Sequence, residues 1–302
     1  MTAVVGLAGE GGRWPTTVSA RSVAVAGATV AIAVGVFLLL GAAGLYNLAF
    51  IAGHISSGVG PAVTSLVLTS LSFGIGFGLA LPLGVVRAFP PRRPGRGGAE
   101  RSARAYVVWV LRWAAYGVTS GFVQAVRGTP FLVQVFLVYY AIIFSFPRFT
   151  LLGLNVSFWA GLLALTINTT GYQSEALRGG FQSVEASQVE AARAVGMTRF
   201  QIFRRITLPQ GIRLVTLPLT NEWISNFKTS AILSYIAVVE LFFWSRTDIA
   251  YELARPIEAF VMIAIFYLVI NVTLSRVVTF LEARRRIPGL GASIVDIAAR
   301  SG

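Results

Sequence analysis

The residues of this chain with the means to bind something sit where charge is hardest to keep. Lys228 is its single lysine, and it shares an apolar run with Glu222. An ionised side chain at the middle of a membrane span costs roughly 2.5–3.5 kcal/mol on insertion scales, so such a group needs a compensating role. Asn221, Ser225 and Lys228 recur at offsets of four and seven and therefore share one helix face, with Glu222, Ser225, Asn226 and Thr229 forming a stripe beside it. In the preceding apolar run Asn168, Tyr172 and Glu175 repeat the same spacing. The ammonium of Lys228 can hold an anionic group, the carboxylate of Glu222 a cationic one, and the amides of Asn168 and Asn221 can orient a ligand as donor and acceptor. The competing reading is contact between helices, with Glu175 merely pairing Arg178 at a helix end. Catalysis is poorly supplied. Cysteine is absent, which leaves no thiolate nucleophile and no cysteine metal site, and the single histidine, His54, speaks against a histidine metal centre or catalytic triad.

The elements that must position these groups are written in the composition. The sequence is 55% hydrophobic and 12% charged, and no Asp, Glu, Lys or Arg occurs between Arg21 and Arg87. At roughly 20 apolar residues per span, that stretch holds about two spans. Apolar runs at 22–51, 60–86, 113–146, 156–176, 212–243 and 257–281 predict an all-α, polytopic membrane protein of about six helices. Arg127-Gly128-Thr129-Pro130 interrupts the third run, so residues 105–126 either belong to it or form a separate helix on or dipping into the membrane. That motif reads either as a plain helix start, with Pro130 in the first turn, or as part of a cytoplasmic gate through Arg127. The first run exceeds the 7–15 apolar residues usual for a signal peptide and reads as a retained anchor.

Arginine sorts by loop parity. Arg13 and Arg21 precede the first run; Arg87, Arg92, Arg93, Arg96, Arg101, Arg104 and Arg112 follow the second; Arg284, Arg285 and Arg286 follow the last. Between the fourth and fifth runs lie Arg178, Arg193, Arg199, Arg204, Arg205 and Arg213, whereas the opposite loops hold only Arg148, Arg246 and Arg255. The positive-inside rule puts both termini and the 178–213 segment in the cytoplasm. The net charge of +13 thus reports orientation, and no nucleic-acid partner is expected. Residues 1–54 read as a tail and extra helix, 55–286 as the membrane domain, 287–302 as a cytoplasmic tail, with PPRRPGRGG from Pro90 as a flexible linker.

One stretch does not suit lipid. In Glu190 to Pro209, Ser187 with Glu190 and Thr198 with Gln201 have capping-box spacing. Gly196 suits the left-handed position between two short helices, and Pro209 reads as the stop of the second. Phe200, Phe203 and Ile206 gather on one side and Arg199, Arg204 and Arg205 elsewhere. Such a segment either lies on anionic lipid or is gripped by a protein.

The spacing Glu190-Ala191-Ala192, Gly196, Ile206-x-Leu208-Pro209 resembles the EAA loop of ATP-binding-cassette importer permeases. Arg127-Gly128-Thr129-Pro130-Phe131-Leu132-Val133-Gln134 is similar to a segment of the permeases that import polar amino acids and opines, as are Arg178 to Val184, Leu219-Thr220-Asn221-Glu222 and Lys228-Thr229-Ser230. The resemblance covers about Val59 to Arg286; the extra N-terminal span, an insert from about Pro90 to Val118 and Ala231 depart from it. It implies a five-helix permease core plus an N-terminal helix, in the cytoplasmic (inner) membrane of a prokaryote. It also implies a coupling loop (Glu190, Ala191, Ala192, Gly196, Phe200, Phe203, Ile206, Leu208, Pro209) that engages a dimer of ATPase subunits. An extracytoplasmic amino-acid-binding protein and a second permease chain, identical or related, complete the implied partners. The imported solute is then a polar or charged amino acid, with its carboxylate at Lys228, its ammonium or cationic side chain at Glu222, and Asn168 and Asn221 orienting it. With no G-x-x-x-x-G-K-(S/T) loop, the chain is expected to hold no cofactor, ATP and Mg belonging to the partner. Two rivals remain: a secondary transporter driven by protonation of Glu222 or Glu175, and an intramembrane enzyme, for which no catalytic constellation is found.

Overall fold

A chain surrounded by lipid must satisfy its backbone within itself, and helix is the local way to do so. The computed structural model describes residues 28, 35–92, 103–146 and 150–284, which are mainly helical, with one isolated bridge between Leu151 and Leu154 and no strand among them. Arg13, Arg21, Arg93, Arg96, Arg101, Arg148, Arg285, Arg286, most of the proline-rich linker and the 287–302 tail lie outside the described residues. The chain divides into two compact units, 1–53 and 54–302. In the first, residues 35–42 are helical, Tyr46 packs against Phe37 with ring centroids 5.2 Å apart, and the Asn47 side chain accepts from the Phe50 amide at 3.0 Å as α1 (Leu48–His54) begins.

The second unit runs through α2 (Val59–Ala88), α3 (Ala103–Gly128), α4 (Phe131–Ser145), α5 (Val156–Gln182), α6 (Ala186–Ala194), α7 (Arg199–Ile202), α8 (Leu208–Thr229), α9 (Leu241–Trp244) and α10 (Pro256–Arg284). α2 and α10 belong to runs long and apolar enough to cross a membrane. Two further spans arise if α3 with α4, bent by 111°, and the run 199–252, bent by 54°, each count as one. α5 is about 40 Å long by its 27 residues, enough to cross a bilayer. Its hydropathy falls short because Ser157, Thr166, Asn168, Thr169, Thr170, Gln173 and Ser174 are all buried against protein. α5 is the centre of the unit, packing most extensively on α2, then on α8, α4 and α3. One apolar cluster gathers Leu68, Val135, Ala160, Leu165 and Leu233; a second, toward the other end of α5, gathers Ala80, Leu177, Phe181, Val215 and Leu219.

α5 and α8 cross through glycine. A Cβ on Gly180 would overlap Val215 and lie 2.8 Å from the Gly211 carbonyl oxygen, and one on Gly211 would lie 2.5 Å from the Phe181 ring. Only two side-chain-free backbones can approach so closely.

Two expectations for the polar segment need correction. Ser187 does not cap α6: the boundary residue is Glu185, and Ser187 lies within the first turn and donates to the Glu185 carboxylate at 3.3 Å. Pro209 does not stop a helix either. It lies in the first turn of α8, and a π-type turn at Phe203–Thr207, in which the Leu208 N–H reaches back to the Phe203 carbonyl, carries α7 into α8 without a break. The Thr198–Gln201 capping box forms as the spacing predicts. Gly196, at φ +81°, ends α6 in a Schellman arrangement, Met197 N–H donating to Ala192 and Gly196 N–H to Arg193.

Candidate functional site

A cavity of about 230 Å³ opens where the α3–α4 corner, α5 and α8 meet, lined by Thr129, Phe131, Asn168, Tyr172, Glu222, Ser225, Asn226 and Thr229. The corner is built by the Arg127–Gln134 motif. Pro130 holds φ −59° and ψ 137°, an extended residue that breaks α3 from α4. The Gln134 side chain then returns one helical turn and donates to the carbonyls of Val126 (2.7 Å) and Thr129 (3.0 Å), which the break leaves without helical partners. Its Oε1 accepts from the Asn168 amide at 3.1 Å, so one glutamine ties the corner to α5.

On the α8 side, buried Asn226 donates to Thr169 Oγ1 at 2.6 Å and reaches Ser72 Oγ at 3.4 Å, a polar node joining α2, α5 and α8. Glu222 is half-buried in the cavity wall and makes no ion pair among the described residues. The two strips named from the sequence therefore meet in part. Asn168 and Glu222 line the cavity; Asn221 and Lys228 do not, and both lie exposed on the adjoining face of α8. Of the face that groups Asn221, Ser225 and Lys228, only Ser225 lines the cavity, and Asn221 and Lys228 are left exposed among the described residues. Asn168 is committed to Gln134 through its amide nitrogen, leaving its carbonyl oxygen for a ligand. Gln134 was not singled out from the sequence, although its place at the end of the Arg-Gly-Thr-Pro motif was the available signal.

Directly below Tyr172 on α5, Glu175 gathers three arginines from three helices. Arg87 of α2 lies at 2.7 Å, Arg178 of α5 at 2.6 Å and Arg127 of α3 at 3.7 Å. Arg178 also donates to Gln182, whose amide donates to the Ala88 carbonyl at 3.2 Å. Arg127 stacks over the Tyr172 ring with Cζ 5.7 Å from its centroid, so this charged cluster touches a wall of the cavity. Glu175 thus does pair Arg178, with two further guanidinium groups that sequence spacing could not place.

Glu240, fully buried, is a second carboxylate that the sequence reading passed over. It caps α9, accepting from the Phe242 (2.9 Å) and Phe243 (2.7 Å) amides and from Ser65 Oγ (3.2 Å). Its valence is spent on structure.

The Ala186–Thr207 segment presents an exposed face of Glu190, Ala191, Val195 (78% exposed), Gly196 and Phe200 (68%). Ala192 is buried. Phe203 turns inward, its ring edge-on to Phe89 at 6.1 Å and to Phe181 at 5.9 Å, so Phe200 and Phe203 do not share an outward face. Ile206, Leu208 and Pro209 are half-buried. The inward anchors are Ile202 and Phe203, and Val195 is an outward apolar residue not named from the sequence. Among the described residues no group of His, Cys, Asp and Glu could hold a metal ion.

Residues 106–287 match the family described as the binding-protein-dependent transport system inner membrane component. The chain is 39% identical over 179 residues to the octopine transport system permease protein of Rhizobium meliloti, covering 57% of this chain and 71% of that one. It is 34% identical over 223 residues to the nopaline transport system permease protein of Agrobacterium fabrum (72% and 83%), and 33% identical over 176 residues to the glutamine transport system permease protein of Escherichia coli K12 (58% and 78%). Among solved structures, an amino acid ABC transporter crystallised with histidines matches at TM-score 0.64 and 28% identity, over 79% of this chain and 98% of that one. The inward-facing methionine transporter MetNI shares the fold at TM-score 0.53 and 21% identity, over 73% and 94%. The polytopic helical fold, the exposed polar segment and these matches agree: the chain belongs to the binding-protein-dependent transport system inner membrane components and is the membrane-spanning permease subunit of an ATP-binding-cassette importer, a transport component and not an enzyme.

Proposed function

We propose that this permease carries polar amino acids, with a preference for those bearing a cationic group, through the cavity between α5, α8 and the α3–α4 corner. The observation that carries the substrate class is Glu222, a half-buried carboxylate in a cavity wall with no ion pair among the described residues. A charge held there is costly until a cation arrives, which favours a positively charged solute. The volume of about 230 Å³ lies below the roughly 300–1,000 Å³ of pockets for drug-sized ligands and suits a small solute. The octopine, nopaline and glutamine permeases among its relatives support an amino-acid-like cargo.

Both termini and the Ala186–Thr207 segment face the cytoplasm in this reading, where two ATPase subunits grip the exposed face around Glu190, Val195, Gly196 and Phe200. ATP and Mg sit on those partners, and an extracytoplasmic binding protein delivers the solute. A second permease chain covers Asn221 and Lys228, which otherwise leave an amide and an ammonium against lipid. In this reading residues 55–286 are the permease domain and residues 1–54 an N-terminal extension to it.

The test is purification in mild detergent with whatever chains accompany the protein, followed by reconstitution into liposomes. A stoichiometric phosphate-loop ATPase and ATP-dependent uptake are expected. Glu222→Gln should weaken uptake affinity for arginine or lysine by about tenfold or more, the cost of removing a charged partner, and affect glutamine less. Uptake driven by a proton gradient without any ATPase overturns the coupling, and unchanged affinity in Glu222→Gln overturns the site.

A further inference from the structure

The cavity has a carboxylate for a cation, but with Lys228 on another face it lacks a cation of its own for the carboxylate that every amino acid carries. The cluster beneath Tyr172 supplies one. Among the described residues the three arginines share Glu175 as their one carboxylate, so two positive charges are left over. The three are not equivalent. Arg87 and Arg178 hydrogen-bond to Glu175 at 2.7 and 2.6 Å, and their side chains are 10% and 32% exposed. Arg127 stands off at 3.7 Å and is 43% exposed. It can leave Glu175 without leaving that carboxylate unpaired. Its guanidinium lies over the Tyr172 ring, and Tyr172 lines the cavity, as does Thr129, two residues along the chain. Gln134 fixes Thr129 through bonds of 3.0 Å to its carbonyl and 2.9 Å to its hydroxyl, which holds the base of Arg127 at the cavity edge.

We propose that Arg127 is a substrate-binding residue that takes the α-carboxylate of the transported amino acid, its planar fork suiting a carboxylate, while Glu222 takes the cationic group. This rests on the cavity being the substrate site, and it deepens that reading in two ways. The solute lies with its carboxylate toward Tyr172 and Arg127, and the permease itself distinguishes amino acids from the amines that remain when the carboxylate is removed.

The test measures direct binding to the permease with its ATPase in nanodiscs, the binding protein omitted. The probes are L-arginine, L-histidine and L-glutamine against agmatine, histamine and 4-aminobutanamide. The wild-type protein should prefer each bound acid over its amine. Arg127→Gln should weaken the acid about 10- to 100-fold, the range for losing a charged hydrogen-bond partner, and leave the amine within about twofold, so the preference disappears. Arg127→Lys should restore part of it, and Arg87→Gln, in the same cluster but away from Tyr172, should leave it intact. Should Arg127→Gln not be recovered folded, the preference of Arg127→Lys decides alone. Equal weakening of acid and amine makes Arg127 a positioning residue and overturns the proposal, as does an unchanged preference or a wild-type protein that shows none. If Arg127→Gln has no effect while Glu222→Gln still weakens the cationic probes, the cavity reading survives its loss. If neither variant alters binding, or no probe binds the wild type, both fall.

Discussion

Glu222 and Lys228 lie six positions apart on one helix and meet different surroundings, Glu222 in a cavity wall and Lys228 on an exposed face. Sequence periodicity says which residues share a face; it cannot say which face finds a neighbour, because that depends on where a distant helix crosses. Asn168 and Glu222 were legible as a pair for the cavity, whereas Thr129 lines it, and Gln134 and Arg127 touch its walls, through a bend of 111° that no local spacing encodes. Asn226 shows the value of a group whose partners come from two other helices. Asn226→Ala removes the donor to Thr169 and Ser72 and leaves buried hydroxyls short of a partner, and should cost about 1–3 kcal/mol. Thermal unfolding of the detergent-purified protein, followed by tryptophan fluorescence, should show a lowered midpoint; an unchanged midpoint would mean that the node contributes nothing to stability.

The segment joining α6 and α7 was the most legible element. A Thr198–Gln201 cap and a left-handed glycine are local devices, and local devices can be read locally. Its misreadings share one cause: Ser187 has a capping spacing and Pro209 a breaking chemistry, but the chain packs so that Glu185 starts one helix and a π-type turn absorbs the other. Gly196 has open space around it and an unusual backbone, so a side chain there costs conformation and not collision, about 1–2 kcal/mol for a left-handed residue. Gly196→Asp also places a charge between exposed Val195 and Phe200. The variant should insert normally and retain the transported solute's affinity, while ATP hydrolysis no longer drives uptake. Paired assays of hydrolysis and uptake in liposomes check this, and intact coupling would remove the segment from the ATPase contact.

For the molecule as a whole, apolar runs outlined the helical bundle, the 156–176 run of α5 included, but not which helix would be its centre. α5 carries many buried polar groups among its apolar residues, and its central place shows only in what packs on it. The absence of cysteine makes orientation easy to measure. With the coupling segment cytoplasmic, Val195→Cys in the permease expressed without its ATPase should react with a membrane-impermeant maleimide only in inverted vesicles, and Tyr251→Cys, 74% exposed between α9 and α10, only in intact cells. Reversed labelling would invert the topology. The side-chain-free crossing of Gly180 with Gly211 then acquires a mechanical meaning. Phe200 lies eleven residues before Gly211 and Glu222 eleven after it, about 16 Å of helix on either side of the closest approach. Tilting the run about that fulcrum makes it a balance beam with equal arms. Displacement applied at Phe200 would return at Glu222 in the opposite sense, less what the π-type turn at 203–207 and the missing backbone bond at Pro218 take up as slack and what the Asn226 bonds to Thr169 and Ser72 hold back.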